Sequence, residues 1–172
     1  MNKPFVWDAL VRLTHWIVAA LFLANYFILP KGSEPHQWAG YIVIVAVIIR
    51  LIWGVITHSP ARLSRFKPSP RKAIEHLKEV KATHQDHHLG HNPAGAIMIW
   101  LMWALLLATG ITGWGTEWSI FHHAHWLKET HETLASITMT AVAIHVAAVI
   151  VMSKVTHRSY IRSMWIQKKS TQ

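Results

Sequence analysis

The chain contains no cysteine. That excludes disulfides, thiolate-held iron–sulfur clusters and thioether attachment of a cofactor, so any redox group has to be held non-covalently. Acidic residues are scarce too, eight Asp and Glu against seventeen Lys and Arg, for a formal charge of +9. A third scarcity is local: Lys, Arg, Asp and Glu are nearly missing from four blocks, residues 10–29, 38–57, 95–115 and 131–153. Each block has about 20 residues, the length at which a helix crosses roughly 30 Å of hydrocarbon. A soluble bundle helix carries a polar stripe along one face, and these blocks carry none. The expected fold class is therefore all-α: an integral membrane four-helix bundle, one domain over residues 1–172, without internal repeats. The first block follows Lys3 as a secretory signal would. It is too long for a signal's apolar core and runs into Asn25-Tyr26-Phe27-Ile28-Leu29-Pro30 with no small-residue cleavage site, so it reads as a mature span.

The basic residues that are present are unevenly placed. Lys3 and Arg12 precede or open the first block, and Arg50 sits near the end of the second. Arg62, Arg65, Lys67, Arg71, Lys72, Lys78 and Lys81 lie between the second and third, and Lys154, Arg158, Arg162, Lys168 and Lys169 follow the fourth. Only Lys31 and Lys128 fall in the other two loops. This asymmetry predicts cytoplasmic N and C termini and a cytoplasmic middle loop, and it points to a lipid surface rather than to nucleic acid. Tryptophans fit two interfacial belts, with Trp38, Trp114, Trp118 and Trp126 outside and Trp7, Trp53 and Trp165 inside. In the middle loop, Ser69 as N-cap, Pro70 behind it and an apolar face of Ala73, Ile74, Leu77 and Val80 predict a short amphipathic surface helix.

Ionisable side chains within membrane spans are rare and generally functional. His15 and His145 lie roughly 7 and 12 Å from the inner ends of the first and fourth blocks at 1.5 Å per residue. His36 and His131 stand at the outer ends of the second and fourth. His131 and His145 are 14 residues apart, about 40° short of four full turns, so one helix face offers an imidazole at two levels about 21 Å apart. The pairs His15–His145 and His36–His131 suit the axial ligation of two b-type haems. Bis-imidazole iron has no open position, which suits electron transfer rather than oxygen activation. A buried hydrogen-bond network or proton relay is the plainer reading of membrane histidines, and the two depth-matched pairs weigh against it. Arg50, 14 residues beyond His36, either pairs with a haem propionate or snorkels to the headgroups. Gly40, Gly110 and Gly113 give either room for a porphyrin or close helix packing.

Several stretches together resemble one family, the bacterial cytochrome b561 and nickel–iron hydrogenase b-type cytochrome group. They are Val6-Trp7-Asp8-Ala9-Leu10-Val11-Arg12-Leu13-Thr14-His15-Trp16, Arg50-Leu51-Ile52-Trp53-Gly54, Gly90-His91-Asn92-Pro93-Ala94-Gly95, and His131-Glu132-Thr133-Leu134-Ala135 with His145. The resemblance covers nearly the whole chain and implies a four-span cytochrome of the bacterial inner membrane. It also implies two haem b groups held by His15, His36, His131 and His145, and electron exchange with membrane quinone. The longer insertions of dedicated hydrogenase subunits are missing.

The expected function is a di-haem electron conduit between a periplasmic redox partner, a c-type cytochrome or other redox protein, and the quinone pool. Quinone exchange is expected near the inner haem. Two rivals are a superoxide oxidase passing electrons to quinone, as in some relatives, and a haem-free transporter or sensor. Whether the chain forms a homodimer is left open by the sequence. The outer loops carry Lys31 and Lys128 against Glu34, Glu117, Glu129 and Glu132, a formal charge of −2 that repels a small anion. Among the loop histidines, His91 is the candidate for a quinone pocket, although His91-Asn92-Pro93 reads first as a helix start capped by Asn92. His84, His87 and His88 on one side, and His122, His123 and His125 on the other, are expected to be solvated or interfacial. No cysteine or acidic ligand set accompanies them to fix a metal geometry.

Overall fold

The computed structural model describes residues 6–88, 90–121 and 124–165; Lys3, His122, His123, Lys168 and Lys169, named above, lie outside the described residues. Among the described residues the chain is all-helical: α1 (Ala9–Phe27), α2 (Glu34–Ile56), α3 (Pro70–Thr83), α4 (Pro93–Gly115), α5 (His125–Val155) and α6 (Tyr160–Ser163), with 3₁₀ turns at Leu63–Arg65 and Ser119–Phe121. Helices α1, α2, α4 and α5 are long and apolar enough to cross a membrane.

Side-chain caps set where three of these begin. Asp8 accepts from the Val11 N–H, Ser33 from that of His36, and Asn92 from that of Gly95. Ser33 therefore starts α2 at Glu34, with a carboxylate in the first turn where the helix dipole favours it. As a result His36 lies within that first turn, not ahead of the helix as the apolar block suggested. Helix α5 likewise opens at His125, six residues before its apolar block, because Lys128, Glu129 and Glu132 continue the helix in a polar setting. His131 is thus held well inside a helix.

The packing is selective. Helix α1 lies on α2, α2 on α4, α4 on α5, and α3 on α4, whereas among the described residues α5 makes at most slight backbone contact with α1 or α2. Phe22, Val43, Val47 and Leu106 form the core between α1, α2 and α4, and Met139 and Val142 of α5 touch it through their side chains. Between α4 and α5, the buried hydroxyls of Thr109 and Thr138 are 3.0 Å apart. The α2–α4 approach settles the role of Gly110: a Cβ there would lie 2.5 Å from Ile44. Close packing is its purpose.

The end carrying α3 is closed by the C-terminal segment. Ser163 accepts from the Trp7 N–H (3.1 Å), Trp165 from Arg12 Nη1 (2.9 Å) and Met164 from Trp16 Nε1 (2.9 Å), each through its carbonyl. Trp7 is buried against Val11 and Ala61, so it is a core residue here and not a member of the inner belt. Helix α3 forms where Ser69 and Pro70 predicted it, but its face is split. Ala73, His76 and Val80 are buried, while Ile74 and Leu77 remain exposed. The i, i+3, i+7 stripe turned to the protein takes in a histidine, and the two larger aliphatics stay outside it.

Candidate functional site

Helices α1, α2 and α5 bring four histidines into two pairs. His15 and His145 have ring centroids 6.5 Å apart, inclined by 59°; His36 and His131 are 6.2 Å apart, inclined by 83°. Two imidazoles bound end-on to one metal, with bonds of about 2 Å and roughly 1 Å from nitrogen to ring centre, span about 6 Å. Both pairs fit that span. They also join α5 to the two helices with which its backbone makes at most slight contact among the described residues.

The His36–His131 pair is the more closely defined. His131 Nδ1 lies 2.9 Å from the Thr109 carbonyl. A carbonyl only accepts, so Nδ1 carries the proton and Nε2 keeps a lone pair, the state of a metal-ligating imidazole. The ring sits where a Cβ on Gly113 would come within 2.8 Å of Cε1, so glycine is required there. On the facing side, Asn25 Nδ2 donates to the His36 carbonyl (3.1 Å), and His36 Nδ1 is buried with no hydrogen-bond partner among the described residues. A Cβ on Gly40 would meet only Asn25, at 3.9 Å, so this glycine leaves space.

At the other level, Arg50 is buried and does not snorkel. Its Nη2 donates to the Ala61 carbonyl (3.1 Å) and its guanidinium lies 5.1 Å from the Trp103 ring centre, while Nη1 is buried with no hydrogen-bond partner among the described residues. His91 stacks on Trp7 (4.2 Å, 28°) and meets Phe66 edge-on (4.5 Å). Burial pushes its pKa down to about 3, with Arg50 and His145 as further positive neighbours, so the ring is neutral at ordinary pH. The neighbouring Asn92 caps α4, as the sequence suggested.

The chain matches the family described as prokaryotic cytochrome b561 over residues 6–166. It belongs to the prokaryotic cytochrome b561 family. No curated protein and no solved structure matches it. As a member of that family it is a multi-pass membrane b-type cytochrome that binds haem b and transfers electrons. The donor set of this cytochrome, imidazoles facing one another across gaps of one-metal width, fits that cofactor.

Some features of this cytochrome were not legible beforehand. Thr109 acts through its carbonyl, which no side-chain pattern reveals. His84 and His87 are exposed, and His125 is exposed beside Glu129 at 3.1 Å, as expected of solvated histidines. His88 departs from that expectation. It pairs with Asp86, whose side chain is 1% exposed, and faces the buried His76 of α3 at 4.9 Å. An acidic group does accompany the loop histidines, and the periodic stripe Ala73, His76, Val80 was the signal that pointed at it.

Proposed function

We propose that the chain holds two haem b groups, one between His15 and His145 and one between His36 and His131. It then passes electrons across the bacterial inner membrane between a periplasmic redox protein and the quinone pool. The observation that carries this reading is the pairing itself: both separations match two imidazoles on one metal ion, each pair joining α5 to a different helix. Haem with two axial imidazoles supplies reversible one-electron transfer with no open coordination position. The protein supplies the rest. Thr109 fixes the His131 tautomer, Gly113 and Gly40 admit the rings, and α5 spaces its two histidines by about 21 Å along one face. Arg50, with Nη1 unpaired in the interior, is the group to receive a propionate. His91, next to Arg50 and the inner pair, lines the quinone exchange region. Both termini and α3 lie on the cytoplasmic side, following the basic residues.

The outer charge of −2 favours a lysine-rich c-type cytochrome or similar domain over superoxide as the partner. The deciding experiment mixes the quinone-loaded protein rapidly with superoxide and, separately, with reduced c-type cytochromes across a range of ionic strength. Electron transfer from the cytochrome that slows as salt rises supports a protein donor. Near diffusion-limited oxidation of superoxide, slowing with salt, replaces that reading with a superoxide oxidase.

A further inference from the structure

His76 of α3 and Asp86 and His88 of the following loop converge in one cluster. One ligand-capable atom from each lies within 4.8 Å of the other two. Two donors bound to one zinc ion at about 2.0–2.1 Å stand some 3 to 4 Å apart, so the cluster closes on an ion with small side-chain movements. A second feature points the same way. His76 is 3% exposed, and both its ring nitrogens are buried without a hydrogen-bond partner among the described residues. A buried imidazole with neither nitrogen satisfied is costly, and in native proteins such groups mark a missing partner.

We propose that His76, Asp86 and His88 form a binding site for a divalent transition-metal ion of the zinc class, separate from the haem-binding histidines. Two imidazoles and one carboxylate favour such an ion over magnesium or calcium, which prefer oxygen ligands throughout. Protonation states suit it. Burial holds the His76 pKa below its ordinary value, so the ring is neutral. For Asp86, burial works against ionisation, but hydrogen bonds from Tyr160, Asn92 and His88 outweigh it and hold the carboxyl at about 2. The Asp86 carboxylate is also oriented as metal-ligating carboxylates are: Oδ2 accepts from Tyr160 Oη (2.6 Å) and Asn92 Nδ2 (2.8 Å). Oδ1 accepts from the His88 backbone N–H (3.0 Å) and lies 3.0 Å from His88 Nδ1, and its second lone pair is the one to turn to the ion with His88. On binding through Nδ1, a neutral His88 would carry its one ring proton on Nε2. The half-exposed His88 side is the route in and leaves a coordination position for water. The ion would fasten α3 to the loop whose Asn92 caps α4, and through Tyr160 to the C-terminal helix α6.

The test uses purified, haem-loaded protein treated with chelator and then titrated with zinc by calorimetry and by competition with a chromophoric chelator. One site per chain is expected in the wild type. His76→Phe keeps an aromatic ring in the buried slot and His88→Gln changes a half-exposed side chain; each should weaken zinc at least about 100-fold, beyond the range of an indirect effect. His84→Ala and His87→Ala should leave affinity unchanged, and the haem spectrum should be the same in all four variants. Undetectable zinc binding, or binding equal in wild type, His76→Phe and His88→Gln, overturns the site.

Discussion

The imidazoles of His36 and His131 face each other at 6.2 Å, nearly perpendicular, although α2 and α5 make at most slight backbone contact among the described residues. The proton of His131 Nδ1 is committed to the Thr109 carbonyl, which turns Nε2 toward the gap. His15 and His145 repeat the relationship one level away, at 6.5 Å. Each pair joins α5 to a different helix, so α5 is the element shared by both levels.

That arrangement predicts how alanine variants group. His15→Ala and His145→Ala should remove the same wave in a redox titration, and His36→Ala and His131→Ala the other. The pyridine haemochrome assay should fall from two haems per chain to one in each case. Waves that sort as His15 with His36 would break the pairing.

Reporter fusions check the orientation. A fusion near Arg71 should report cytoplasm and one near Trp126 periplasm, because only Lys31 and Lys128 of the seventeen basic residues fall in the first and third loops of the sequence. The opposite result inverts every inner and outer label.

The Thr109–Thr138 hydroxyl pair should be asymmetric. Thr138 Oγ1 already donates to the Leu134 carbonyl (2.7 Å), so within the pair Thr109 is the donor. Thr109→Val removes one interhelical hydrogen bond and should cost about 0.6 kcal/mol. Thr138→Val leaves the Thr109 donor stranded and should cost about 1–2 kcal/mol. Thermal unfolding in detergent gives the order, and equal losses would refute the donor assignment.

Acid sensitivity should pass through His91. Its folded pKa, about 3, lies below the ordinary 6.5, so the unfolded chain takes up the proton first as pH falls. Its contribution is therefore fully present above about pH 6.5 and is lost as pH falls toward 3, at up to about 1.4 kcal/mol per pH unit. His91→Phe preserves a ring against Trp7 and Phe66 and should flatten the stability profile in that window. An unchanged slope there would remove His91 as the cause.

Arg50→Gln removes a buried positive charge from the level of His15 and His145. A cation favours the reduced form of a nearby redox centre. The midpoint potential of the wave assigned to that pair should fall by an amount on the order of tens of millivolts, with the other wave unmoved. Equal shifts in both waves would place Arg50 elsewhere in the electrostatics.

Much of the architecture was legible because membrane helices announce themselves. Four apolar blocks of bilayer length, two depth-matched histidine pairs and a 14-residue spacing on one helix depend only on helix periodicity. The Asn92 and Ser69 caps were readable for the same reason, since a cap is a contact across three residues. The beginnings of α2 and α5 were misjudged because hydropathy marks where lipid begins, whereas caps and helix-forming polar residues decide where a helix begins.

What the sequence by itself determined is therefore periodic and local: the number of spans, the Ser69 and Asn92 caps and which faces carry imidazoles. Tertiary structure decided what depends on contacts between distant segments. It turned Trp7 from belt to core, drew Arg50 inward to the Ala61 carbonyl, and gave Gly110 to packing against Ile44 while Gly113 makes room for His131. It also gathered His76, Asp86 and His88 from a helix and a loop. The physical reason is that lipid imposes length and polarity residue by residue, but leaves the rotation of each helix to its neighbours.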